Sequence, residues 1–161
     1  LSRSYTAQST AKPIINFRSE FIIMQITRQA DYALRAMLYL ARLETNERAA
    51  TSKIAEDQEI PPSFLAKIIS QLSIAGLIHT SRGAHGGVSL ARKPSEVSLL
   101  EVVEAIDGPI SLNECVHDPG ICSFGDNCPI HEVWCEAKEE LVRKLRASTF
   151  DKLLEREEAR V

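Results

Sequence analysis

Over residues 26–43 the apolar side chains Ile26, Ala30, Ala33, Leu34, Met37, Leu38 and Ala41 recur at three- and four-residue spacing. That spacing predicts an amphipathic helix. Thr27 stands where a side-chain oxygen can cap its first turn, and the polar stretch 44–48 ends it. Thr51 opens a short helix holding Ile54 and Ala55, which Ile60-Pro61-Pro62 interrupts. A residue before proline is pushed out of the helical region, whereas a proline fits the first turn of the next helix. The next helix therefore starts near Pro62 and turns Leu65, Ile68, Ile69, Leu72 and Ala75 inward. Gly76 stands where a glycine ends a helix. Residues 77–80 and 88–91 read as two short strands, joined by Ser81-Arg82-Gly83-Ala84-His85-Gly86-Gly87. Three glycines in that link predict a β-hairpin. Two helices, a third after a turn, then a hairpin is the order of a winged helix-turn-helix.

The pattern changes after Pro94. Ser98 can cap a helix through Leu99, Val102, Val103 and Ile106, with Glu101 as its capping-box partner, and Asp107-Gly108-Pro109 stops it. A loop over 111–130 follows. A long helix then carries Trp134, Ala137 or Lys138, Leu141 and Leu145 at near-heptad spacing. Such a stripe stabilises a helix only when it is covered, either by the winged domain or by the same helix of a second subunit. Ser148-Thr149 breaks it, and Phe150, Leu153 and Leu154 form a last short turn. The expected fold class is mainly α with a small β-hairpin wing: a winged helix-turn-helix plus a long C-terminal dimerisation helix. Residues 24–98 make the winged unit, and 99–161 the loop and dimerisation helices. Residues 1–23 show little periodicity and read as a leader outside the fold, with Met24 as the natural start. The segment reads as an upstream extension, with an organelle transit peptide as the lesser alternative.

Composition narrows the function. The chain has 161 residues, 44% of them hydrophobic and 25% charged, as in ordinary globular proteins. No apolar run approaches the roughly 18 residues that suggest a membrane span. The net charge of −3 hides an asymmetry. Residues 24–98 carry nine basic and seven acidic side chains, whereas 99–161 carry seven and fourteen. A mildly basic winged half keeps a polyanion open as its partner.

The helix from Pro62 presents outward Ser63, Ala66, Lys67, Ser70 and Gln71, which are small or polar with one cation and no carboxylate. Such a slim face suits a DNA groove, where a merely solvated face usually mixes both charge signs. Arg82, beside Gly83 and His85 on the hairpin, suits minor-groove insertion, a plain solvated hairpin being the bland alternative. No helix starts directly after these glycines, which argues against a phosphate-binding loop. No nucleophile–base pairing has a catalytic spacing, so an enzyme is not expected.

All four cysteines lie between 115 and 135, a clustering that points to a metal site or redox thiols rather than a disulfide scaffold. Cys115-x6-Cys122-x5-Cys128-x2-His131 sits among turn-forming residues. Three thiolates and an imidazole suit zinc, or an iron–sulfur cluster in which imidazole replaces one thiolate. Spacing alone does not choose between them. Cys135 falls one turn after His131 on the same helix face, as a substitute ligand or as a buried neighbour of Trp134.

Met24-Gln25-Ile26-Thr27, Asp31-Tyr32-Ala33-Leu34-Arg35, Ser63-Phe64-Leu65 and Leu72-Ser73-Ile74-Ala75-Gly76-Leu77-Ile78 resemble the Rrf2 family of bacterial regulators. So do the segment from Ser81 to Gly87, Leu100-Glu101-Val102-Val103-Glu104-Ala105-Ile106-Asp107-Gly108 and the three-cysteine loop. The likeness runs from Met24 to about Leu154. It implies a dimeric winged-helix transcription factor, often holding a [2Fe–2S] or [4Fe–4S] cluster that senses iron–sulfur status, iron, nitric oxide or redox state. Cluster-free members regulate cysteine metabolism. The resemblance further implies that the helix of Ser63, Ala66 and Lys67 enters the major groove and that Arg82 reaches the minor groove. Cys115, Cys122, Cys128 and His131 match the ligands of the cluster-biosynthesis branch. The nitric-oxide branch replaces the histidine with an aspartate of the other subunit, at the position of Asp31. Two features depart from the cluster-biosynthesis branch: a first cysteine gap one residue longer, and Ala66 where that branch has a glutamate. Its target sites and switching logic therefore do not transfer directly.

The expectation is a cytoplasmic, nucleoid-associated homodimer that acts as a repressor or other regulator on a pseudo-palindromic double-stranded operator, with no membrane partner. A cluster, [2Fe–2S] rather than [4Fe–4S], would control its DNA affinity. The alternatives are the same regulator with a zinc site or thiol redox switch, and a cluster-free regulator docking on a metabolic enzyme.

Overall fold

The computed structural model describes residues 26–160 except 45, 46, 84, 85, 125 and 126. The 1–23 leader, Met24 and the expected DNA contact His85 lie outside the described residues. The first helix, α1 (Arg28–Ala41), is capped by the Thr27 side chain, which accepts from the Ala30 N–H. It buries Ala30, Ala33, Ala36, Met37 and Leu40. Then come α2 (Thr51–Asp57) and α3 (Pro62–Ile74), the latter starting on its proline and burying Leu65, Ile68, Ile69 and Leu72. Ala75, expected to face inward, is exposed. It lies past the last turn of α3, where the chain swings away through Gly76 at φ +70°.

The wing is an antiparallel hairpin of β1 (Ile78–Ser81) and β2 (Gly87–Leu90), with Ile78 opposite Leu90 and Ser81 opposite Gly87. Relative to the expected strands, β1 begins one residue later and β2 one earlier. Part of the reason lies outside the hairpin. The Ala49 N–H donates to the Val88 carbonyl at 3.0 Å, and the Val88 N–H donates back at 2.9 Å. This third chain fixes β2 from its far side. A Cβ on Gly87 would meet the Ala49 carbonyl oxygen at 2.8 Å, and Gly87 has φ +154°. Only glycine tolerates both.

Helix α4 (Leu99–Asp107) starts on a complete capping box. The Ser98 N–H donates to the Glu101 carboxylate at 2.9 Å, and the Glu101 N–H donates to the Ser98 hydroxyl oxygen at 3.3 Å. A one-turn helix, α5 (Glu114–His117), lies in the loop, and the long helix α6 (Pro129–Ala147) follows it. The expected last short turn is a nine-residue helix, α7 (Phe150–Glu158). The Leu99 N–H donates to the Ser148 carbonyl and the Phe150 N–H to the Val97 carbonyl, so α7 starts beside α4. Phe150 is wholly buried in one cluster with Met37, Leu65 and Ile68. The line drawn between 98 and 99 therefore does not fall at a gap in the packing: α4 and α7 both rest on α1.

Helix α6 is the exception. None of its residues is buried. Trp134, Ala137, Lys138 and Leu145 are half-buried, and Ile130, Val133 and Leu141 are exposed. Among the described residues no helix is long and apolar enough to cross a membrane.

The capping box gives a direct test. Burial pushes the Glu101 carboxyl up, but hydrogen bonds from the Ser98 backbone, Arg92 and the Ser98 hydroxyl outweigh it and hold the group below its usual range. A carboxylate lowered in the fold stabilises above its unfolded pKa, and that contribution fades as pH falls through the lowered value. Ser98→Ala should cost about 1 kcal/mol at neutral pH. Urea titrations should show the gap from wild type narrowing in acid. A constant gap from neutral pH down into the acid range would refute the linkage.

Candidate functional site

Two regions carry the chemistry. The first lies between α3 and the wing. Ser63, Ala66, Lys67 and Ser70 are exposed on one face of α3, as the spacing predicts. Gln71 is only half-buried and its side-chain oxygen accepts from the Gln29 amide of α1, so it is held against the first helix. Arg82 and Gly83 are exposed where the hairpin leaves β1. A cleft of about 580 Å³ separates helix from wing, lined among others by Ala66, Ser70, Ile74, Ser81, Arg82 and Gly83. Phe64, on the flank facing α1, packs its ring edge-on to Tyr32 at 6.2 Å.

Sequence reading missed Ile74. Its side chain is 84% exposed. It continues the stripe Ser63, Lys67, Ser70 by one more helical step (i, i+4, i+7, i+11), and that spacing was the available signal. An isoleucine near a helix end ordinarily reads as a core contact.

The second region is the loop between α4 and α6. Asn113 caps α5 by accepting from the Glu114 N–H, and the Asp118 carboxylate accepts from the Gly120 N–H at 3.0 Å. These local bonds set out the cysteines. Cys115 sits on α5, Cys122 follows a single 3-10 turn, and Cys128 is the residue that starts α6. All are half-buried and none is in a disulfide. His131 stands in the first turn of α6, and its Nε2 lies 3.4 Å from the Cys135 sulfur. Cys135, expected to be buried beside Trp134, is itself half-buried.

Among the described residues, no three histidine, cysteine, aspartate or glutamate side chains converge closely enough to hold a metal ion. Asp31, the alternative fourth ligand, pairs with Arg35 on α1 at 2.8 Å, both side chains about half-exposed. The chemistry of the donor set nevertheless fits a thiolate-bound metal: three thiols outside disulfides and an imidazole on one short segment. The loop carries these donors without preassembling them.

The family model described as "Iron-dependent Transcriptional regulator", Rrf2, matches residues 26–156. The chain belongs to the Rrf2 family. The match covers the three helices, the wing, the cysteine loop, α6 and most of α7. The HTH-type transcriptional regulator NsrR of Geobacillus kaustophilus is 36% identical over 133 residues, covering 82% of this chain and 90% of that one. Among solved structures, IscR of T. potens has a TM-score of 0.68 at 25% identity, covering 85% of this chain and 91% of that one. CymR, the global cysteine regulator of B. subtilis, has a TM-score of 0.67 at 25% identity, covering 80% of this chain and 95% of that one. As an Rrf2 protein the chain is a DNA-binding transcriptional regulator rather than an enzyme.

Proposed function

We propose that this Rrf2 protein is a homodimeric regulator whose affinity for a pseudo-palindromic operator is controlled by an iron–sulfur cluster on the segment from Cys115 to His131. One observation carries the reading: three half-buried cysteines outside disulfides, with an imidazole just beyond, occupy the link between a core-packed helix and one that has no fully buried residue. The family description "iron-dependent" supports iron in that place. Cys115, Cys122 and Cys128 would supply thiolates. His131, or Asp31 of the partner subunit, would complete the set. When bound, an iron–sulfur cluster would supply a redox-sensitive iron centre held by these thiolates. [2Fe–2S] is favoured over [4Fe–4S].

What the chain itself contributes is geometry. The apolar stripe of α6 gains stability when a second copy covers it, and Ser63, Ala66, Lys67 and Ser70 of α3, with Arg82 and Gly83 of the wing, form the DNA-facing set. A dimer must place its two recognition helices about 34 Å apart to meet successive major grooves. Because the loop enters α6 at Cys128, its arrangement biases that spacing. Such a regulator works in the cytoplasm, at the nucleoid. Residues 24–98 then form the DNA-reading unit and 99–161 the sensing and pairing unit, although the two share a core.

Anaerobic purification of the full chain tests this. The expected product is coloured and contains iron and acid-labile sulfide in equal amounts, both lost in Cys128→Ser. Zinc in place of iron, or reversible disulfides with no metal, would overturn the iron reading and favour the zinc or thiol-switch one.

A further inference from the structure

We propose that Ile74, with Ala66 two turns earlier on the same helix, reads thymine methyl groups in the DNA major groove and so sets operator preference. The inference rests on the DNA-binding reading above and adds the chemistry that is recognised.

Ile74 is 84% exposed, the highest value among the described large apolar side chains with notable exposure. It does not point at a neighbour within the fold. It stands on the outward stripe of α3 behind Lys67 and Ser70, and with Ala66 it walls the cleft between α3 and the wing. None of the described residues lining that cleft is acidic, and one, Arg82, is cationic. A cleft with a cation and no carboxylate suits a polyanion. In a DNA groove the one apolar group offered by a base edge is the thymine C5 methyl, and alanine and other apolar side chains read it by contact. A face made of Ser63, Ala66, Lys67, Ser70 and Ile74 has one side chain suited to guanine, two apolar ones suited to thymine methyls and two permissive hydroxyls. It carries no carboxylate to accept from a cytosine amine. Gln71, which would read adenine, is held by Gln29 instead. Lys67 and the apolar pair are left as the base-discriminating side chains, and only the apolar pair distinguishes thymine by its methyl group.

The experiment uses the full chain, purified anaerobically. Duplexes are selected from a random-sequence double-stranded library, and the selected duplex is remade with uracil in place of thymine, which removes only the methyl groups. Affinity should fall roughly fourfold for each contacted methyl, the value of one buried methyl-sized group. In Ile74→Ser the thymine-to-uracil ratio should shrink toward one, while the salt dependence of binding and the thermal midpoint stay at wild-type values, because the residue touches no phosphate and supports no core. Equal affinity for the two duplexes, or an unchanged ratio in Ile74→Ser, would overturn the inference while leaving DNA binding in place. Retention of no duplex from the library would overturn the DNA-binding reading itself, and this one with it.

Discussion

Phe150→Ala should destabilise the chain by roughly 3–5 kcal/mol, the usual range for emptying a fully buried phenylalanine site. A domain of this kind has about 5–15 kcal/mol in total, so the variant is expected to sit near the edge of folding at 37 °C. The residue is wholly buried and shares its cluster with Met37 of α1 and Leu65 and Ile68 of α3. It is also the first residue of α7, and its N–H donates to Val97 at the entry to α4. Truncation therefore leaves a cavity where α1, α3 and α7 meet. Phe150→Leu keeps most of the volume and should recover most of the loss. Denaturant unfolding at several protein concentrations separates folding from association, since a dimer's apparent stability rises with concentration. A loss below about 1 kcal/mol for the alanine variant would mean that α7 is peripheral, contrary to its packing.

The second large effect concerns DNA. Lys67→Ala with Arg82→Ala is expected to weaken operator binding at least about 100-fold, each lost contact of this kind being worth about 1–3 kcal/mol. In a symmetric dimer four cations are lost. If all four neutralise phosphates, the slope of log affinity against log salt should become shallower by roughly four, since each contributes about 0.9. If instead Lys67 reads a base edge, the slope changes by about half as much while preference at one position relaxes. Both side chains are exposed, so the fold should survive the double change, and an unaltered melting curve is the control. Unchanged affinity and slope would remove α3 and the wing from the interface.

These effects differ in how far the sequence announced them. The recognition face was legible because a helix repeats every 3.6 residues, so spacing alone puts Ser63, Lys67 and Ser70 on one side and Leu65, Ile68 and Leu72 on the other. The cysteine loop was legible for a different reason: thiols and an imidazole within a short segment are chemically conspicuous whatever the backbone does. The role of Phe150 was not legible. With Leu153 and Leu154 it reads as no more than a last short turn, and only the packing of α7 onto α1 makes it central. Gln71 misled in the opposite sense, since its spacing matched the DNA-facing stripe while Gln29, 42 residues earlier, takes its side chain.

Local chemistry alone thus determined the caps at Thr27 and Ser98, the proline start of α3, the glycine turn after it and the order helix, helix, helix, hairpin. Each depends on neighbours within about four residues, which the sequence states outright. Tertiary structure decided what distant segments settle between them. Ala49 fixes the register of the wing by bonding Val88, Ser148 and Val97 draw α7 into the winged core, and α6 is left with no fully buried residue. Such contacts depend on which surfaces meet in space, and the periodicity of one segment carries no record of the segment that will face it.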